Sequence, residues 1–198
     1  MVKPLVASIL FAASVASAEP VDFAQPPVVA ATAASHNKLG FRIGFGKLHV
    51  ADRRMSTVSL GLHLEHPVFE TVRVFAEYEW MWFGDKAPMS PASEGLPGSG
   101  HRTHVGLRTE LMGTTIMDAI HLYLDAEVGG GLAVLSDDIS GVQVLPHAFA
   151  GLRAGYDFVW GKKHARSSRV WEAELLARAI RVPGGTGALF GIGMLWGD

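Results

Sequence analysis

From Lys38 onward apolar residues alternate with polar or glycine residues, and the alternation restarts eight times. Leu39, Phe41, Ile43 and Phe45 alternate with Gly40, Arg42 and Gly44. Val58 to Leu64 alternate with Ser59, Gly61, His63 and Glu65. Val72 to Trp82 alternate with Arg73, Phe75, Glu77, Glu79 and Met81. Thr103 to Leu111 oppose Arg102, His104, Gly106, Arg108 and Glu110. The second half repeats the scheme from Ile120 to Val128, Pro146 to Phe158, Trp171 to Ala179 and Ala188 to Trp196. Side chains change face at every residue only in an extended strand, so the chain predicts eight β-strands.

The two faces differ in kind. The first has 41 positions and no charge, its polar members being Thr103 and Thr109. The second has 37 positions, with 15 Asp, Glu or Arg, four His and nine Gly. A soluble barrel would turn the apolar face inward, whereas a membrane barrel would turn it to lipid. The charged face carries six Arg and no Lys, although the chain has six Lys. A solvated surface mixes the two. Arg, with its planar fork, suits closely packed carboxylates. A lumen network is therefore expected from Arg42, Arg73, Glu77, Glu79, Arg108, Glu110, Asp125, Glu127, Arg153, Asp157, Glu172, Glu174 and Arg178.

Aromatic placement favours the membrane too. If the first strand runs outward, Phe45, Tyr78, Trp80 and Trp82 fall in the upper half, and Tyr156, Phe158, Trp171 and Trp196 near the bottom. Two such girdles mark two membrane interfaces. The longest connection, Gly84 to Ser99, is rich in Pro, Ser and Gly and then lies outside. Short inner turns are expected around His66-Pro67 and Gly113-Thr114, with Trp160 to Ser168 a longer exception. Most segments match the 9–11 residues or so that a tilted strand needs to cross. An open edge could not lie in lipid, so the first and last strands must pair.

Composition narrows the choice. Hydrophobic residues make up 48% and charged ones 18%, which excludes a disordered polar chain, and a formal charge of −2 gives no electrostatic case for nucleic acid as a partner. Residues 1–18 read as a cleaved secretory signal: Lys3, the apolar stretch Leu5 to Val15, then Ala16-Ser17-Ala18. Residues 19–37, with Pro20, Pro26 and Pro27, read as a flexible segment before a barrel over 38–198. The chain contains no Cys, so thiol chemistry and cysteine-bound metal are excluded, and barrel closure must do the work of disulfides.

The signal, the eight strands and an apolar terminal strand ending near Trp196 resemble the OmpA/OmpX type of small outer-membrane barrel. The resemblance implies an all-β, up-and-down transmembrane barrel in the outer membrane. Its implied partners are outer-membrane lipid and an assembly machinery that reads the C-terminal strand. Its implied roles run from structural anchoring and adhesion to lipid hydrolysis in some relatives. Family members end on an aromatic, whereas here Gly197 and Asp198 follow Trp196.

No cofactor, metal or catalytic residue is expected. His101 and His104 lie on opposite faces, and His63, His121 and His147 sit on separate strands. A lipid hydrolase needs its nucleophile within reach of a base. Ser59 and His63 stand about 13 Å apart along one strand. The paired acids Glu77/Glu79 and Glu172/Glu174 share faces with Arg73 and Arg178, which would neutralise them. The Gly129-Gly130-Gly131 run precedes no helix and reads as a bend or as small residues in a tapered barrel. The basic stretch Lys162 to Arg169 reads as a solvated turn. The 84–99 connection is the candidate site for a surface ligand. The role expected is structural or surface interaction rather than a general pore; the alternatives are a soluble barrel binding an apolar ligand and a lipid hydrolase.

Overall fold

The computed structural model describes residues 36–50, 53–84, 98–116, 120–137, 141–160 and 169–197. The expected signal and linker therefore lie outside the described residues, apart from His36 and Asn37. Eight strands run β1 (Lys38–Val50), β2 (Arg53–Pro67), β3 (Val72–Gly84), β4 (Gly98–Ile116), β5 (Ile120–Asp137), β6 (Gly141–Trp160), β7 (Arg169–Val182) and β8 (Gly185–Gly197). Each pairs antiparallel with the next, and β1 pairs with β8, closing the barrel.

The registers fix its geometry. Stepping across the strands from Lys38 leads through Glu65, Phe75, Gly106, Gly129, Phe149, Ile180 and Gly187 to Leu48. The path returns to β1 ten residues further along (38 to 48), which is the shear of the barrel. With about 3.3 Å per residue and about 4.8 Å between strands, the strands tilt by about 40°. The bore is then narrow enough for side chains to fill.

The faces are inverted relative to a soluble protein. Leu64, Leu175 and Phe190 on the outer wall are 55%, 62% and 62% exposed, while Arg153 inside is fully buried. A continuous apolar wall of this extent is atypical of a surface that meets water.

Three local expectations are corrected. Gly113 and Thr114 are not a turn: β4 continues to Ile116, with a register shift between Glu110 and Met112. The Gly129-Gly130-Gly131 run does not end β5, which continues to Asp137, and β6 begins at Gly141 rather than near Pro146. Both were hidden because glycine carries no side chain to mark a face. Finally, the charged face does contain a lysine: Lys38 is buried at the base of the lumen.

The tight β7–β8 hairpin is legible in its chemistry. Pro183 is followed by Gly184, whose φ of 71° lies in the left-handed region that favours glycine.

Candidate functional site

The lumen is filled in tiers. At the end holding the chain termini of the barrel, Lys38 Nζ donates to Asp157 Oδ1 (2.5 Å) and also to Glu172. Tyr123 Oη donates to Glu172 Oε1 at 2.5 Å. Just above, Arg108 Nη1 reaches both Glu65 oxygens at 2.7 Å, and its Nε donates to Asp125. Arg153 donates to Glu65 (2.5 Å), Glu172 (2.7 Å) and Glu174, and Arg73 Nε donates to Glu65 at 2.9 Å.

The middle tier is built on Glu77. Its Oε2 accepts from Arg42 Nη1 at 2.6 Å and Arg178 Nη2 at 3.0 Å, and lies 3.1 Å from His104 Nε2. Arg42 also donates to Glu174, and Arg178 to Glu127. His63 links the two tiers, with Nε2 3.0 Å from Glu65 and Nδ1 3.3 Å from Glu77. Higher still, Arg102 Nε donates to Glu79 at 2.6 Å. Among the described residues seven Lys or Arg and eight Asp or Glu side chains are buried. Their near balance is what a low-dielectric interior requires, since an unmatched buried charge is costly.

Towards the other end the filling becomes apolar. Phe75, Phe149, Leu176, Ile180, Val182 and Leu189 form one cluster, and Met55, Met81, Phe83, Ala133 and Leu135 another; Leu48 packs against both. The Arg178 guanidinium lies 4.7 Å from the centre of the Phe149 ring, joining the charged and apolar parts by a cation–π contact. This apolar plug was the part that alternation alone passed over. Its signal was present in Phe75, Met81, Phe149, Leu176, Ile180 and Leu189 on the charged face.

Of the thirteen expected network residues, twelve are buried in the lumen; Glu110 is exposed. Its side chain is 36% exposed beside the β4 register shift and pairs with His121 at 3.0 Å. Glu65, Arg102 and Lys38 join the network in addition. The girdle residues Phe45, Trp80, Trp82, Tyr156 and Trp171 are exposed on the outer wall; Tyr78, Phe158 and Trp196 are there half-buried. His101 is also outward and exposed, 2.8 Å from Tyr78 Oη, so the apolar face does carry a histidine.

Glu77, Glu79 and His104 place one ligand atom each within 4.8 Å of one another. Arg42 and Arg178 already hold Glu77, and Arg102 holds Glu79. A cation there would face three guanidinium groups, so the chemistry of the cluster is ion pairing. His63 has both ring nitrogens against carboxylates. His147 has no hydrogen-bond partner among the described residues and packs on Phe149 and His104 instead.

No protein-family description matches the chain, and no curated protein matches it by sequence. Solved structures do. Neisserial surface protein A (NspA) is similar over 80% of this chain and 95% of its own, at 11% identity and a TM-score of 0.51. Ail, the attachment invasion locus protein of Yersinia pestis, matches over 83% of this chain and 99% of its own, at 10% identity and a TM-score of 0.44. The fold is that of a small OmpA/OmpX-type barrel. At such identity the likeness extends to architecture alone.

Proposed function

We propose that this chain is an integral outer-membrane barrel with a closed lumen, serving as a rigid structural or surface-interaction scaffold. The observation that carries the reading is the inversion of faces: ionised side chains fill the interior, while leucine, isoleucine, valine and aromatic side chains cover the wall. Only lipid makes that wall favourable, because apolar area left in water costs about 25 cal/mol per Å². Phe45, Tyr78, Trp80 and Trp82 then sit at the outer interface, and Tyr156, Phe158, Trp171 and Trp196 at the periplasmic one. Residues 1–18 direct export, and the assembly machinery engages the C-terminal strand.

Both barrel termini lie at one end, and the ends of β3 (Gly84) and β4 (Gly98), which the 84–99 segment joins in sequence, lie at the other. Facing the exterior of the cell, that segment is the place for a surface ligand. The test is fractionation followed by gel mobility with and without boiling. Recovery in the outer-membrane fraction with a heat-dependent shift is expected; a protein that stays soluble without detergent overturns the reading. The alternative of a soluble barrel binding an apolar ligand meets an interior already filled, by buried ion pairs at one end and by packed apolar side chains at the other. A hydrolase built on Ser59 and His63 meets a histidine already engaged by Glu65 and Glu77.

A further inference from the structure

At the end of the barrel that holds its termini, β4 outruns its neighbour β3. β3 begins at Val72, opposite Thr109, and a backbone bond from Glu110 N to Thr71 O (3.1 Å) closes that side of the sheet. β4 continues to Ile116 with β5 along one edge, while along the other no strand among the described residues pairs with it. An antiparallel strand with one neighbour leaves the N–H and C=O of every second residue unmatched. On this edge and the adjoining β2–β3 turn, Phe69, Met112, Leu111 and Ile116 are 70%, 68%, 46% and 42% exposed.

The edge extends past the aromatic girdle. In register Trp171 meets Phe158, Phe158 meets Ile120, and Ile120 meets Ile116. Each step along this row towards β4 descends by the tilt, which puts Ile116 about 9 Å beyond Trp171. On the membrane orientation proposed above, on which this inference rests, that end faces periplasmic water, where a free edge with apolar side chains attracts a further strand. A second copy cannot supply it. Two copies in one membrane are related by an axis along its normal, so both β4 edges descend, whereas two like edges pair only when antiparallel.

The chain's own leading segment meets the requirement. Its described part ends at His36, whose carbonyl accepts from Arg73 Nη2 on β3. The position below β3 lies two strand spacings from β1, about 10 Å. Thr32 to Ser35, extended at about 3.3 Å per residue, reach that far. Before them stand Val28-Val29-Ala30-Ala31, and before those Pro26-Pro27. We infer that residues 28–31 add to the free edge of β4 as an antiparallel strand, in the place β3 would occupy if it were longer. Val28 then stands opposite Ile116 and Ala30 opposite Thr114. Valine favours an extended strand, and Pro26 and Pro27, lacking N–H groups, end the pairing. Tethering makes the contact intramolecular, so a short strand suffices. The segment is a clasp that shields the edge from other chains.

The test uses the full mature protein refolded into phospholipid vesicles. The chain has no cysteine, so an introduced pair reports alone. The A30C/T114C variant should form an intramolecular disulfide on mild oxidation, because residues directly opposite on paired strands bring their Cβ atoms within reach. A30C/R169C, with its second site on β7 at the same end, should not. As an independent readout without cysteine, Ala30→Pro should speed hydrogen exchange at the unmatched amides of Met112–Ile116 by about fivefold or more, the loss of roughly one hydrogen bond at each. Exchange across residues 148–158 of β6 should stay as in the parent. Equal cross-linking of both cysteine pairs, cross-linking only between molecules, or exchange unchanged by Ala30→Pro overturns the inference. Insertion is read separately from the heat-dependent gel shift. A protein that does not insert overturns the membrane reading and this inference together, whereas an inserted protein whose β4 edge is indifferent to Ala30→Pro overturns this inference alone.

Discussion

Arg153 shows how much one residue carries. It is fully buried, and its two terminal nitrogens serve Glu65, Glu172 and Glu174 on two other strands. Removing it would leave three carboxylates with fewer cations in a medium that screens charge poorly. Arg153→Met should therefore destabilise the barrel by about 3–5 kcal/mol, read from denaturant unfolding in lipid vesicles. Lys162→Met, in the connection between β6 and β7, should change stability little. An equal effect of the two would show the lumen pairs to be dispensable. Room for these long side chains comes from glycine. A Cβ on Gly61 would lie 2.9 Å from Glu79 Cγ and 3.3 Å from Glu77 Oε1. Gly61→Val should cost about 1–3 kcal/mol in the same assay, by pushing both carboxylates away from their arginines.

On the scale of a strand, one residue's difference in position separates lipid from lumen. Leu175 on β7 is 62% exposed, while its neighbour Leu176 is 5% exposed against Phe75 and Phe149. Composition cannot tell them apart, but parity can, and parity is what the sequence displays most clearly. Leu62 and Leu124 lie on the outward parity of β2 and β5. Replacing either with Arg should destabilise folding by roughly 2–4 kcal/mol if it lies near the bilayer midplane, measured by refolding yield and unfolding in vesicles. Refolding as ready as the parent's would reverse the assignment of faces. Strand number and facing were thus legible from alternation. The ends of β4 and β5 were not, because Gly113 and Gly129-Gly130-Gly131 carry no facial signal and these two strands run through them. Lys38 escaped notice because it sits one step before the first alternating residue. Pairing partners were also illegible: Lys38 and Glu172 are 134 residues apart and meet only through the β1–β8 closure.

For the whole molecule, closure and filling are two consequences of one geometry. Eight strands with a shear of ten leave a bore that the side chains of each tier can bridge, as Arg42 on β1 does in reaching Glu77 on β3 and Glu174 on β7. Closure leaves no sheet edge in lipid, and the network and apolar clusters brace the wall from within, so the chain needs no cysteine. Any ion entering from the terminal end meets Lys38, Glu172, Arg108 and Glu65 already paired, then Glu77 held by two arginines. Beyond these it meets Met55, Met81, Phe83 and Leu135, which offer no ligand to replace its hydration shell. Displacing the pairs requires exposing buried charge, and passing the apolar cluster requires opening packed side chains. Both barriers lie in series on the only axis through the described barrel. Purified protein in planar bilayers should therefore show negligible single-channel conductance, with at most rare, brief openings. A stable, ohmic current that persists across applied voltages would show an open lumen, and the proposed role would then shift from scaffold to channel.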